Sequence, residues 1–290
     1  MKTIALCIIC KDENEDLKEN IDYHTLLGVD NFIIYDNNSR NSLYDDFKDY
    51  KNVTVHPWKM KKGDQQTKCY MHCINQYKNK FRWIGFIDVD EFILIKNGIT
   101  DIKKFLVPYE KYGGLGVQWK CFGSSGHLKR QRSTIKNYIH ASGTGDDQHI
   151  KSIVNPILVT GTLNPHSFKY KNNFFCVNEN MKRVPNAFNK PYTRDKIQLN
   201  HYVTRSREDF ELKRKRGGPN TLNSKKLTEG FWNRFQNGTE ETLIIDLLGR
   251  IQKNKESKEH SHFALRIISN IKYLFKKIGD GYNNDKRKSS

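Results

Sequence analysis

Apolar positions in the first hundred residues alternate between short continuous runs and longer stretches with helical spacing. Thr3–Cys10 is an unbroken apolar run of strand length. Glu13–Leu27 then brings Leu17, Ile21, Leu26 and Leu27 onto one helical face, and Gly28 supplies a stop. Asn31–Asp36 predicts a second strand and Asn52–His56 a third, with turn chemistry at Asn37-Asn38-Ser39 between them. Gln65–Tyr77 predicts a helix and Phe81–Ile87 a fourth strand. This βαβαβαβ rhythm implies an α/β fold, a parallel sheet covered by helices. Ligands on such sheets bind beyond the carboxyl ends of the strands. Here those ends carry Lys11-Asp12-Glu13, Asp36-Asn37-Asn38 and Asp88-Val89-Asp90-Glu91. Farther on, Gly114–Cys121, Ile150–Val159 and Phe174–Val177 predict strands, and Phe122–Gly126 a small-residue turn.

Composition adds a formal net charge of +18 over 290 residues, which calls for a polyanionic neighbour: nucleic acid, an anionic membrane or a phosphorylated ligand. The six cysteines include Cys7 and Cys10 on one predicted strand. Positions three apart on a strand face opposite sides, so the pair reads as small buried thiols in a reducing compartment. The apolar run after Met1-Lys2 ends at Lys11-Asp12-Glu13 without a small-residue cleavage site, and reads as a first core strand. No stretch reaches the roughly 18 apolar residues of a membrane span. The expectation is a cytoplasmic protein, held at most peripherally on the inner face of a membrane.

The chemistry concentrates in Phe86-Ile87-Asp88-Val89-Asp90-Glu91-Phe92. In an extended segment Asp88 and Asp90 project to one side. Two carboxylates beyond a buried strand call for a divalent cation, and oxygen donors suit Mn²⁺ or Mg²⁺. Such a cation bridges a nucleotide diphosphate and neutralises charge on the leaving group.

The runs LGVDNFIIYDNNS (Leu27–Ser39), IGFIDVDEF (Ile84–Phe92) and WKCFGSSGH (Trp119–His127) closely resemble glycosyltransferase family 92 and its bacterial relatives of the family 2 type. So do Lys151–Val154, His166 and Asn200–Gly217, in the same order, so that the resemblance spans roughly residues 4 to 235. It implies the GT-A fold, a UDP-sugar donor (galactose favoured) and a divalent metal. It also implies a nucleotide-sugar half at 1–112 and an acceptor half at 113–253, with residues 254–290 a basic helix and tail. Lys11 and Glu13 match a polar cluster lying against the nucleotide, and Asp36, with Asn38 beside it, matches an acidic position that meets uracil or ribose. Asp88 and Asp90 match the metal motif, Asp90 as direct ligand and Asp88 shared with ribose or metal, while Glu91 orients its neighbours. His201 resembles a late histidine of the metal or diphosphate site, its alternative being a core histidine. Lys213 and Arg216 resemble a basic pair near the diphosphate.

Trp119, Phe122, Ser124, Ser125 and His127 are expected to line an acceptor pocket, aromatic faces packing on sugar faces. His166 is open to either metal or acceptor. Asp146 and Asp147 are the candidate bases for an inverting reaction; a retaining one needs none. The expected acceptor is a glycan, or a lipid-linked glycan in surface polysaccharide assembly. In His262–Ile278, Phe263, Ile267, Ile271, Leu274 and Ile278 recur at helical spacing among Arg266, Lys272, Lys276 and Lys277. That pattern suits an anionic membrane surface or a helix docked on the protein's own core. Three alternatives remain. A sugar-nucleotide pyrophosphorylase needs a Gly-rich loop where this chain has Lys11-Asp12-Glu13-Asn14. A nucleic-acid-binding protein is not expected, because the clustered site residues are acidic. The third is a catalytically inactive carbohydrate-binding relative.

Overall fold

In the computed structural model residues 2–59, 66–143, 145–216 and 227–257 are described. The chain divides into two compact units, residues 1–247 and 248–290. Of the second, residues 248–257 are described and helical. The expected basic segment His262–Ile278 lies outside the described residues.

The first unit starts with strand β1 (Lys2–Cys10), helix α1 (Asn14–Leu26), β2 (Asn31–Asp36), α2 (Leu43–Phe47), β3 (Val53–Pro57), α3 (Gln66–Tyr77) and β4 (Phe81–Phe86). β1 is apolar and buried along almost its whole length, as suits a strand covered on both faces. It pairs in parallel with β2 and β4, and β2 with β3. Cys10 is level with Asp36, and Asp36 with Pro57, so these strands end flush and their loops open on one side. α3 packs Cys69, Tyr70, Cys73 and Ile74 against Ala5, Cys7, Ile33, Tyr35 and Phe86. All six cysteines are buried thiols.

The chain continues through β5 (Glu91–Ile95), α4 (Ile102–Leu106), β6 (Gly114–Phe122), α5 (Thr134–Asn137), β7 (His140–Ser142) and β8 (Ile150–Val154). Then come β9 (Val159–Asn164), β10 (Ser167–Tyr170), β11 (Cys176–Val177), β12 (Ile197–Tyr202), α6 (Arg207–Arg216), α7 (Glu229–Arg234) and β13 (Gly238–Glu240). β8 runs antiparallel between β4 and β6, and β12 lies between β5 and β6. The sheet order β13-β7-β6-β8-β4-β1-β2-β3 gives the expected α/β, GT-A fold, with parallel pairing in its first half and mixed pairing in its second. The strand expected over Ile150–Val159 is two strands, because Pro156 offers no ladder donor and opens a 3-10 turn, Pro156–Leu158. Phe174–Val177 shortens to β11. Among the described residues no helix is long and apolar enough to cross a membrane.

Candidate active site

The acidic motif lies in the turn between β4 and β5, where Glu91 N donates to Asp88 O at 3.1 Å. A turn replaces the expected extended segment, and the two aspartates take different partners while each still feels the other's charge. Asp88 Oδ2 meets Lys151 Nζ at 2.8 Å and its Oδ1 accepts from Gln66 Nε2 at 3.0 Å. Asp90 has partners of its own, with Oδ2 2.8 Å from Lys213 Nζ and Oδ1 3.7 Å from His201 Nε2. Glu91 is fully buried, and its Oε2 accepts the Asp88 N–H at 2.8 Å, tying the turn to itself. Asn20 of α1 completes the clamp, its Nδ2 donating to Val89 O at 3.1 Å and Glu91 O at 2.8 Å, the carbonyls on either side of Asp90.

Burial would raise both aspartate pKa values, but the neighbouring ammonium groups outweigh it. Lys151 holds Asp88 below the usual carboxylate range, and Lys213 holds Asp90 well below it. Glu91 is pushed well up by burial, which its contact with Lys151 only partly offsets. Lys151, 2% exposed, would be discharged by burial but is kept charged by Asp88. His201 is lowered to about 4 by burial and stays neutral.

β12 delivers His201 by register, because it sits opposite Glu91 on one side and Cys121 on the other. The strand then leads through Arg205 into α6, which returns Lys213 and Arg216 to the carboxyl ends of β1 and β2. Between them is a cavity of about 530 Å³. Lys11, Glu13, Asn38 and Arg40 line it on one side and Arg205, Lys213, Lys215 and Arg216 on the other, and Asp12, Asp16, Asp90, Arg130 and Asp209 also reach it, so that seven basic residues face five carboxylates. Arg216 Nη2 lies 3.1 Å from Glu13 Oε1, and its Nη1 donates to Lys11 O at 2.9 Å. Asn38 takes φ 57°, the left-handed region asparagine tolerates. Asp36 is not part of the lining, and its Oδ1 accepts from Ser39 N at 2.9 Å, shaping the loop after β2.

Arg205, Asp16 and Arg130 escaped the sequence reading. Arg205 is 6% exposed at φ 52°, with Nη1 2.6 Å from Asp16 Oδ2 and, among the described residues, no hydrogen-bond partner for Nε and Nη2. Arg130 bridges Asp16 at 2.8 Å and Asp209 at 3.2 Å. The signal available was the apolar segment Tyr202–Val203 running straight into Thr204-Arg205, a cation too close to a core strand to be solvated.

On the other side of His201 is an aromatic wall. Trp119 packs on His201 at 4.3 Å, His149 at 4.9 Å and His166 at 5.3 Å between ring centroids. His166 Nδ1 donates to Ile150 O at 2.8 Å, leaving Nε2 as the acceptor nitrogen, and burial lowers its pKa to about 3. The other expected acceptor residues turn inward. Phe122 is buried against Tyr202 at 4.9 Å. Ser124 Oγ bonds Gln236 and Gly126 N, Ser125 Oγ accepts His140 N at 3.0 Å, and His127 Nε2 bonds Asn137 O at 3.1 Å. Gly123 lies so close to Phe235 O that a Cβ has no room. The turn is scaffold. Asp147 is scaffold too: Oδ1 accepts Cys121 N at 2.8 Å, Oδ2 meets Arg194 Nη1 at 2.5 Å, and the residue is only 3% exposed, out of reach of an acceptor hydroxyl. The Asp146 side chain lies outside what is described.

The arrangement offers a two-ligand edge for a cation. Asp90 Oδ1 and neutral His201 Nε2 are close enough for one ion about 2.1 Å from each. Asp88 does not join them, and among the described residues no group of three or more His, Cys, Asp or Glu converges. The remaining ligands would have to come from water and a bound anion, which the basic cavity next to Asp90 suits.

The sequence profile of glycosyltransferase family 92 matches residues 2–243. The chain belongs to glycosyltransferase family 92. A family 92 protein from Ricinus communis is 30% identical over 186 residues, covering 60% of this chain and 33% of the relative. One from Oryza sativa subsp. japonica is 29% identical over 189 residues, covering 63% and 31%. The chain thus spans about a third of the length of the curated relatives it matches. Among solved structures, residues 1–349 of S. aureus TarS are similar at TM-score 0.40 and 13% identity, over 86% of this chain and 71% of that one. Glucosyl-3-phosphoglycerate synthase from Mycobacterium tuberculosis, solved with Mn²⁺, UDP and glucosyl-3-phosphoglycerate, reaches TM-score 0.28 at 16% identity, over 41% of this chain and 44% of that one.

Proposed function

We propose that this family 92 chain transfers a hexose, galactose by family resemblance, from a UDP-sugar to a hydroxyl of a glycan or lipid-linked glycan. The observation that carries the reading is Asp90. One of its oxygens faces a neutral imidazole, the other a lysine, and the residue itself reaches a cavity at the carboxyl ends of parallel strands in which basic side chains outnumber acidic ones seven to five. A cation-binding edge beside an anion-binding cavity is what a nucleotide diphosphate with its metal requires. Asp90 and His201 would hold Mn²⁺ or Mg²⁺, which supplies Lewis-acid stabilisation of the diphosphate as it leaves. Lys213 and Arg216 add charge to the same anion. Asp88, fixed by Lys151 and Gln66 and 37% exposed, is placed to accept from a sugar or ribose hydroxyl. The Trp119 face, with the acceptor nitrogen of His166 beside it, suits the sugar that receives the hexose.

Location and the tail belong to the same proposal: a cytoplasmic enzyme whose basic end rests on an anionic membrane that carries its acceptor. UDP with Mn²⁺ should raise the melting temperature, by the equivalent of about 2.7 kcal/mol at a hundredfold excess over Kd. In Asp90→Asn, Mn²⁺ should add nothing to the rise that UDP alone produces. An unchanged melting curve in the native protein would leave the chain without its proposed donor.

A further inference from the structure

Both carboxylates of the acidic motif carry an ammonium from the protein itself, and the two lysines differ in how they are held. Lys151 is fixed within the sheet, 2% exposed, and touches Glu91 as well as Asp88. Lys213 is on α6 at the cavity wall, its side chain 32% exposed, with Nζ 2.8 Å from Asp90 Oδ2 and 3.3 Å from Val203 O. It is therefore free to leave Asp90 for an anion in the cavity without disturbing the core. We propose that Lys213 is a built-in counterion that competes with the divalent cation for Asp90, and that a diphosphate in the cavity relieves the competition by drawing the ammonium to itself. The inference rests on the proposed nucleotide–metal reading and adds a coupling to it. Without nucleotide, Asp90 is neutralised by lysine and holds the metal weakly. With nucleotide, Lys213 pairs with phosphate and Asp90 is released to the metal. Each ligand then tightens the other beyond their direct contact, since coupling between two binding sites is reciprocal.

The test measures Mn²⁺ binding by the resonance of the free ion, with and without UDP, and UDP binding by calorimetry in chelator. The proteins are the native chain, Lys213→Met, and Lys215→Met. The last removes an equal charge from the same cavity with no bond to Asp90. Lys213→Met should bind Mn²⁺ about tenfold tighter than the native chain when no nucleotide is present, bind UDP more weakly in chelator, and show a smaller tightening of Mn²⁺ by UDP. Lys215→Met should leave nucleotide-free Mn²⁺ affinity close to native. Equal tightening in both variants would reduce Lys213 to one charge in a general field and overturn the proposal. So would unchanged or weaker Mn²⁺ binding in Lys213→Met while UDP still binds the native chain. If the native chain binds neither UDP nor Mn²⁺ together or apart, the underlying reading of the site falls as well.

Discussion

Asp88 and Asp90 are two residues apart in sequence and take different lysines as counterions. The sequence announced the pair, because charges after an apolar strand stand out, but an extended segment was the wrong geometry for them. What shapes the turn is Glu91 accepting the Asp88 N–H, a contact between residues too close in sequence for periodicity to reveal. Lys151 was legible only as part of a family motif, since nothing in Ile150–Val154 says that its lysine is buried. Its ammonium offsets Asp88 and Glu91 together, so removing it leaves a buried carboxylate without its counter-charge. Lys151→Met should lower stability by about 3 kcal/mol, and adding Glu91→Gln should recover part of the loss. Urea unfolding of the single and double variants checks this, and strictly additive losses would contradict it.

Elements fix where these side chains stand. α1 was expected to bury an apolar stripe and does so through Leu17 and Ile21, but it also buries Asn20 and His24. These were invisible as site supports, because their partners are carbonyl and amide groups of β5, a strand missed by the sequence reading. His24 Nδ1 bonds Asn20 O at 2.9 Å while its Nε2 accepts Ile93 N at 3.2 Å, so the ring must be neutral. Burial lowers its pKa from the ordinary 6.5 to about 3. The unfolded chain therefore binds a proton that the folded chain refuses, and stability falls as pH drops below about 6.5 toward 3. The loss attributable to His24 should approach about 1.4 kcal/mol per pH unit in the middle of that window. His24→Gln should be less stable at neutral pH and show a shallower decline between about pH 6 and pH 4.5, read from urea midpoints. An identical decline would remove His24 as its source. β12 carries the complementary lesson. Its register against β5 and β6 joins residues about a hundred positions apart, which no local pattern reports, and only the resemblance placed His201 near the motif.

For the whole molecule, the alternation of apolar runs was enough for the α/β class and for the polar clusters after β1, β2 and β4, whereas the flush ends of β1, β2 and β3 came only with the register. The second half was less legible because β6, β8 and β12 are assembled by long-range antiparallel and crossover pairing. The net charge of +18 is spread over the chain, and the basic tail is one place where it concentrates. If the tail meets an anionic surface, each of its Lys and Arg residues near that surface contributes about 1 kcal/mol. Truncation after Lys253 should then abolish sedimentation with anionic vesicles and leave transfer to a soluble acceptor nearly unchanged, whereas a large fall in melting temperature would assign the tail to the protein's own core.

The central claim, that Asp90 holds the metal that meets the diphosphate of a UDP-sugar, is tested most directly by UDP release from a panel of UDP-sugars with Mn²⁺, comparing the native chain with Asp90→Asn. The account predicts release from at least one UDP-hexose, abolished by chelator and reduced by about a hundredfold or more in the folded variant. Equal release by Asp90→Asn, or release that persists in excess chelator, would contradict it.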